Sequence, residues 1–260
     1  MANDQILTTT ETGVMTITLN RPEKMNALTP AMHASLDAAF NAFATDPSLH
    51  VCVVTGAGPR AFCAGSDLAG FRADSPAPYP PGGYAGIARR FDLDKPVIAK
   101  VNGLCLGGGF ELALACDMII AADNAVFGLP EPKVGLIAIG GGVHRLVRQA
   151  GLKRAMGPLL TGRNIPAEEG LAMGFVSELA PAGELDEVVA HTCRQILANA
   201  PLAVRLSKEL ALWGLDQPTL ADALAGQADH PAYVRWSRSE DAVEGPAAFA
   251  AKRAPEWRGR

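Results

Sequence analysis

The chain is poor in everything that would tie it to a membrane, a polyanion or a metal. Its five cysteines, Cys52, Cys63, Cys105, Cys116 and Cys193, are odd in number and form no C-x-x-C pair. That pattern excludes a disulfide framework or zinc knuckle and reads as small core side chains in a reducing compartment. Its five histidines show no H-E-x-x-H and no i, i+4 spacing, so no metal site is expected. The formal net charge of -4 leaves no basic footprint for nucleic acid or an anionic surface. The opening MANDQILTTT lacks the basic start and apolar core of a signal peptide. No uninterrupted apolar run is long enough to span a bilayer. These absences lead to the expectation of a cytoplasmic globular protein without a membrane or nucleic-acid partner.

What is present is a 260-residue chain, 48% hydrophobic, long enough to bury a substantial core. ILTTTETGVMTITLNRP alternates around Thr12-Gly13 and reads as a β-hairpin running to Arg21-Pro22. TPAMHASLDAAFNAFATD sets Met32, Leu36, Ala39 and Phe43 at helical spacing, with Thr29 as cap and Pro30 in the first turn. HVCVVTG, KPVIAKVNG and CDMIIAAD are short apolar strands. Strands alternating with helical segments indicate an α/β fold with largely buried strands. After about residue 180 the pattern becomes a series of amphipathic helical runs, GELDEVVAHTCRQILANA, PLAVRLSKELALWG and DQPTLADALAGQA. RADSPAPYPPGGYAG, residues 72–86, has no periodicity and reads as a binding or covering loop.

Two motifs resemble familiar sites and fail. VCVVTGAGPRA offers G-x-G-x-x-A after a strand, but Pro59 and RAFCAGSDL make a poor helix start, and no second strand ending in an acid follows. Ser66 is not within G-x-S-x-G, because Ala occupies position 64.

The chemistry lies elsewhere. In NGLCLGGGFELA three glycines, Gly107 to Gly109, open a helix whose first turn carries Glu111. A helix start leaves unpaired N–H groups at the positive end of its dipole, and bare backbone lets them approach a ligand oxygen closely. A tight turn with close helix packing explains the glycines equally well. Glu131, in FGLPEPKVGL, follows a short apolar strand and is flanked by prolines. Carboxylates in apolar surroundings have their pKa raised toward the range useful for proton transfer.

NRPEKMNAL, AFCAGSDL, KPVIAKVNGLCLGGGFELALACD, FGLPEPKVGL, LTGRNIPAEEGLAMGFVSEL and SEDAVEGPAAFAAKR, in this order and spacing, resemble the crotonase superfamily of enoyl-CoA hydratases and isomerases. The resemblance implies an α/β spiral of repeated ββα units over residues 1–200. It also implies a C-terminal helical trimerisation region over residues 201–260, with assembly as a homotrimer or a dimer of trimers. It implies N–H groups of Ala64 and Gly108 as an oxyanion hole for an acyl-CoA thioester, and Glu111 and Glu131 as the catalytic acids. CoA contacts would come from Lys24, Asn26, Ala27 and Leu28, with Ala64, Ser66, Asp67 and Leu68, and from Tyr233, Phe249 and Lys252. CoA would be part of the substrate and no separate cofactor would be needed. The implied reaction is reversible hydration of a 2-enoyl-CoA. Isomerisation and dehydration of a carnitine-like acyl-CoA are alternatives within the superfamily; acyl-CoA hydrolysis and RNA binding are more distant ones. Three features depart from the family pattern: Ile139-Gly140 in LIAIGGGVHRL, Pro132 directly after Glu131, and Ser66 where Ala is common. The last puts a hydroxyl near the acyl site.

Overall fold

The computed structural model describes residues 5–69 and 79–260. Residues 72–78 of the Pro/Gly-rich loop fall outside them, whereas Tyr79 and Tyr84 fall within. The described chain divides into two compact units, one running through Phe91 and resuming over Val97–His191, the other made of Asp92–Pro96 and Thr192–Arg260.

The first unit begins with β1 (Ile6–Glu11) and β2 (Val14–Leu19), joined at Thr12-Gly13, both at positive φ. That conformation matches the twist of a two-residue hairpin. Helix α1 (Pro30–Thr45) starts as its sequence implies, with Thr29 Oγ1 accepting the Met32 N–H at 3.3 Å. It buries Met32, Leu36, Ala39, Phe40 and Phe43.

Then a unit repeats. β3 (Val51–Gly56) is followed by the short β4 (Ala61–Cys63). β5 (Val97–Val101) is followed by the short β6 (Leu104–Leu106) and α2 (Gly108–Ala115). β7 (Met118–Ala122) is followed by the short β8 (Val126–Gly128) and α3 (Gly142–Ala150). α4 (Leu152–Thr161), β9 (Ile165–Pro166), α5 (Ala167–Met173) and β10 (Glu178–Ala180) complete the two sheets, and α6 (Leu185–Leu197) contains the boundary between the units.

Each repeat gives its longer strand to one sheet and its shorter strand to another. The longer strands form a six-stranded sheet in the order β1-β2-β3-β5-β7-β10, parallel except for the first hairpin. Every residue of β3 is buried, as expected of a parallel strand covered on both faces. The shorter strands form a second sheet, β4-β6-β8-β9, in which β4, β6 and β8 are parallel, with Cys63 opposite Cys105 and Leu106 opposite Gly128. Phe110, Phe127 and Phe175, with ring centroids 5.0–5.3 Å apart, pack α2 and β8 together.

The second unit is helical: α7 (Pro201–Leu215), α8 (Leu220–Gly226), α9 (Pro231–Ser237) and α10 (Glu240–Ala250). Arg205 pairs with Asp94 at 2.7 Å, and Lys208 Nζ donates to the Lys95 carbonyl at 2.9 Å. The chain's end is fastened by N–H groups of Arg258 and Gly259 donating to the Asp241 carboxylate at 2.7 and 3.0 Å. The Trp257 indole N–H donates to the Ala198 carbonyl at 3.0 Å. Leu215, Leu220, Val243 and Phe249 are each more than 70% exposed.

Candidate active site

Three chain segments meet at the carboxyl ends of the three adjacent parallel strands β4, β6 and β8. Residues 64–67 leave β4, residues 107–111 leave β6, and Glu131 lies three residues beyond β8. Carboxyl ends of parallel strands are where open α/β sheets form ligand crevices.

The glycine run is explained by what lies against it. A Cβ on Gly109 would lie 2.2 Å from the Cys63 carbonyl oxygen, and one on Gly108 only 1.7 Å from the Tyr84 hydroxyl. Both contacts are far inside van der Waals distance, so bare backbone lets α2 pack on β4 at Gly109 and on the Tyr84 side chain at Gly108. The turn-and-packing reading of these glycines is therefore correct, and it coexists with an open N–H. Gly108 begins α2, and its N–H has no acceptor on the chain among the described residues.

Glu111, 4% exposed, sits one turn into α2. Its Oε1 accepts the Gly142 N–H at 2.8 Å, at the start of α3. Gly140 and Gly142 leave the room this needs, since a Cβ on Gly140 would fall 2.7 Å from Glu111 Oε2. Burial pushes the Glu111 carboxyl up to about 7; the Gly142 N–H pulls the other way, and the nearby charge of Glu131 adds to the rise. Burial raises Glu131 as well. Its Oε1 lies 3.1 Å from where a Cβ on Gly107 would be, and its buried Oε2 has no hydrogen-bond partner among the described residues. A buried carboxylate oxygen without a partner is costly and is suited to a water or substrate proton.

The other oxyanion donor expected from the sequence is displaced. The Ala64 N–H donates to the Met25 carbonyl at 2.9 Å and is not available to a ligand. The Gly65 N–H faces Cys63 Sγ at 3.4 Å, and the Asp67 N–H donates to the Leu28 carbonyl at 2.8 Å. Ser66 is left as the residue of this stretch whose N–H has no chain acceptor among the described residues. The segment faces α2, with a Cβ on Gly65 3.4 Å from the Gly108 nitrogen.

The residues expected to cradle CoA divide into braces and open positions. Asn26 is fully buried, its Nδ2 donating to the carbonyls of Ala57 and Ala61 at 3.1 and 2.8 Å, while its Oδ1 accepts the Arg21 N–H at 3.0 Å. The N–H groups of Asn26, Ala27 and Leu28 go to the carbonyls of Arg21, Lys24 and Gly65. Asn26 therefore braces residues 57–61 and Leu28 braces the 64–67 segment, and neither offers an N–H to a ligand. Asp67 pairs with Arg21 at 3.0 Å. Lys24, Ser66 and Leu68 are exposed, and Ala27 is half-buried. In the second unit Tyr233 packs edge-on against Trp236, while Phe249 and Lys252 are exposed.

Sequence reasoning noted Gly140 only as a departure from the family pattern, and passed over Gly142 and the contact of Tyr84 with Gly108. IGGG before an amphipathic run was the one local sign of a helix start beside an acid.

Among the described residues, no group of three or more His, Cys, Asp or Glu is arranged to hold a metal. No helix among them is long and apolar enough to cross a membrane.

Comparison with known proteins accords with this geometry. The enoyl-CoA hydratase/isomerase family model matches residues 9–260. The chain is 43% identical over 256 residues to carnitinyl-CoA dehydratase of Proteus mirabilis, covering 97% of each protein. It is 43% identical over 252 residues to the Salmonella typhi enzyme of the same name, covering 95% of each. Among solved structures, enoyl-CoA hydratase from Mycobacterium tuberculosis superposes with a TM-score of 0.90 at 38% identity, over 98% of this chain and 99% of that one. An enoyl-CoA hydratase from Bacillus anthracis gives 0.89 at 35% identity, over 99% and 100%. The chain belongs to the enoyl-CoA hydratase/isomerase family, within the crotonase superfamily, and is an enzyme of the hydro-lyase type.

Proposed function

We propose that the protein catalyses reversible addition of water to a 2-enoyl-CoA, giving a 3-hydroxyacyl-CoA. The observation that carries this reading is the convergence of two carboxyls of raised pKa, buried Glu111 and half-buried Glu131, with the unspent N–H groups of Ser66 and Gly108. The thioester oxygen accepts from the two N–H groups. As water adds at C3, charge flows to that oxygen, and donors aimed at developing charge are each worth roughly 2.7–4 kcal/mol in comparable sites. One carboxyl takes a proton from the water while the other delivers one to C2, so the pair ends with as many protons as it began. A carboxyl titrating at about 7 is present in both forms near neutrality, as general acid–base exchange requires. CoA enters and leaves as part of the substrate, and we assign no separate cofactor.

The same groups run in reverse remove water. The 43% identity to proteins named carnitinyl-CoA dehydratase favours dehydration of that thioester as the second reading. Loss of enoyl-thioester absorbance across a panel of enoyl-CoAs, with carnitinyl-CoA supplied in the opposite direction, separates the two. Release of free thiol would instead mark hydrolysis, and no change with any thioester would defeat both hydro-lyase readings. We also propose that the helical part, residues 201–260, assembles the chain as a trimer or a dimer of trimers. The exposed Leu215, Leu220, Val243 and Phe249 support this, and light scattering that finds a stable, active monomer would refute it.

A further inference from the structure

Tyr84 is 5% exposed, yet its phenol serves neither the oxyanion nor proton transfer in the reaction above. Its hydroxyl rests on Gly108, at the helix start that supplies one free N–H. Its hydrogen-bond partner is Ser66 Oγ at 2.8 Å, on the residue that supplies the other. Two hydroxyls that share one hydrogen bond retain one O–H proton between them. Whichever oxygen donates, the second proton has no acceptor among the described residues. Tyr84 is buried and Ser66 is exposed, so the spare O–H is open to an incoming ligand on the Ser66 side.

The ring is also held firmly. The Ala85 N–H donates to His33 Nδ1 at 3.0 Å, and the Gly82 N–H donates to the Asp37 carboxylate at 2.8 Å. Both bonds pin the Tyr84 segment to α1. The imidazole of His33, 7% exposed, packs 4.7 Å from the Tyr84 ring, and Tyr79 packs 5.4 Å from it. Burial lowers His33 to about 4, so at neutral pH this backing is uncharged. A phenol wedged between helix α2 and that backing cannot swing aside to admit a long alkyl chain without giving up packed contacts.

Resting on the CoA-thioester reading above, we propose that Tyr84 and Ser66 are the specificity-determining pair for the acyl group. They close the compartment to long alkyl chains and offer one O–H to an oxygen borne by a short acyl group beyond the carbon that takes up water. The substrate class is a short, oxygen-substituted enoyl-CoA rather than a fatty one.

Saturated thioesters cannot react, so calorimetric titration of the full chain tests selectivity apart from catalysis. 4-Oxopentanoyl-CoA and 4-methylpentanoyl-CoA have the same heavy-atom skeleton, with the C4 carbonyl oxygen of one replaced by a methyl in the other; decanoyl-CoA probes length. The wild type should bind the oxo thioester about fivefold more tightly than its methyl counterpart, the worth of one neutral hydrogen bond, and decanoyl-CoA most weakly. The double variant Tyr84→Phe with Ser66→Ala, which keeps the ring and the N–H of position 66 but removes both hydroxyls, should bring the oxo-to-methyl ratio close to one. Either single variant still holds one spare O–H and should retain a preference for the oxo thioester. A ratio unchanged in the double variant would overturn the proposal, as would equal weakening of both short thioesters in it or decanoyl-CoA binding to the wild type as tightly as the short ones. Failure of every thioester to bind better than free CoA would remove the CoA-thioester reading itself, and this proposal with it.

Discussion

The two sheets of the first unit differ in what they do and in how visible they are. The six-stranded sheet is built of five- and six-residue strands apart from its β10 edge, and β3 is buried along its whole length. It supplies core. The four-stranded sheet is built of two- and three-residue strands, too short to carry a core alone. Its β4, β6 and β8 end at Cys63, Leu106 and Gly128, and the groups assigned to the reaction lie within the few residues that follow those ends. Stability and chemistry are thus divided between sheets that share each repeat of the chain, and a short strand suffices for the second because its task is to aim the residue that follows it.

That division can be broken most severely at the acids. Glu111→Gln and Glu131→Gln should each lower the hydration rate by about 10²–10⁴-fold, the usual contribution of a positioned acid or base. The double variant should be little worse than the worse single one, because groups that act as a unit are not additive. Steady-state rates showing near-normal turnover in either single variant would defeat the two-carboxylate mechanism.

The complementary test removes core from the large sheet. Ile98, fully buried in β5 between β3 and β7, makes no contact with the site residues through its strand register. Ile98→Ala should cost about 2–5 kcal/mol of stability through the cavity it leaves. Below the melting temperature its kcat/KM should stay near that of the wild type. A rate loss larger than the stability loss explains would show that the sheets are not separable in this way.

Gly109→Ala lies where the two roles touch. The added methyl would meet the Cys63 backbone carbonyl, which cannot turn away as a side chain can. Overpacking costs typically about 1–3 kcal/mol, and here it would also move β4 relative to α2. Thermal melts and rates should therefore fall together, unlike in Ile98→Ala.

The smallest effect is a pH dependence. Glu111 titrates at about 7 in the folded chain, against an ordinary value of 4.5. Below 4.5 the carboxyl is protonated in folded and unfolded chains alike. Between 4.5 and 7 the folded state increasingly holds a proton that the unfolded state has released, so its relative stability falls as pH rises. Glu111→Gln removes that penalty while keeping an acceptor for the Gly142 N–H. Its melting temperature should exceed that of the wild type at pH 8, with the gap shrinking toward pH 5. A gap that is constant or reversed would mean that Glu111 is not held above its ordinary range.

The long strands and the helices were readable because each extends over enough residues to show its period. The alternation of β1 and β2, the apolar runs of β3, β5 and β7, and Thr29 ahead of the α1 stripe are local properties of the chain. β4 and β6 were not readable as strands, and β8 only as a short apolar stretch before Glu131. Three residues contain no full period, and what makes them strands is pairing with segments roughly twenty to forty positions away.

The site shows the same limit. Sequence by itself determined that Glu111 stands in the first turn of a helix opened by bare backbone, and that Glu131 follows a strand in apolar surroundings. Spacing along one element fixes such facts. It could not determine which N–H groups stay free, because Ala64 is paired with Met25, on a segment 39 positions earlier, and Ser66 is left open by that pairing and its neighbours'. Nor could it place the Tyr84 hydroxyl on Gly108 or the Gly142 N–H on Glu111. Hydrogen bonds are short and directional, so which donor is spent and which is left for substrate is decided only when distant backbone comes within about 3 Å.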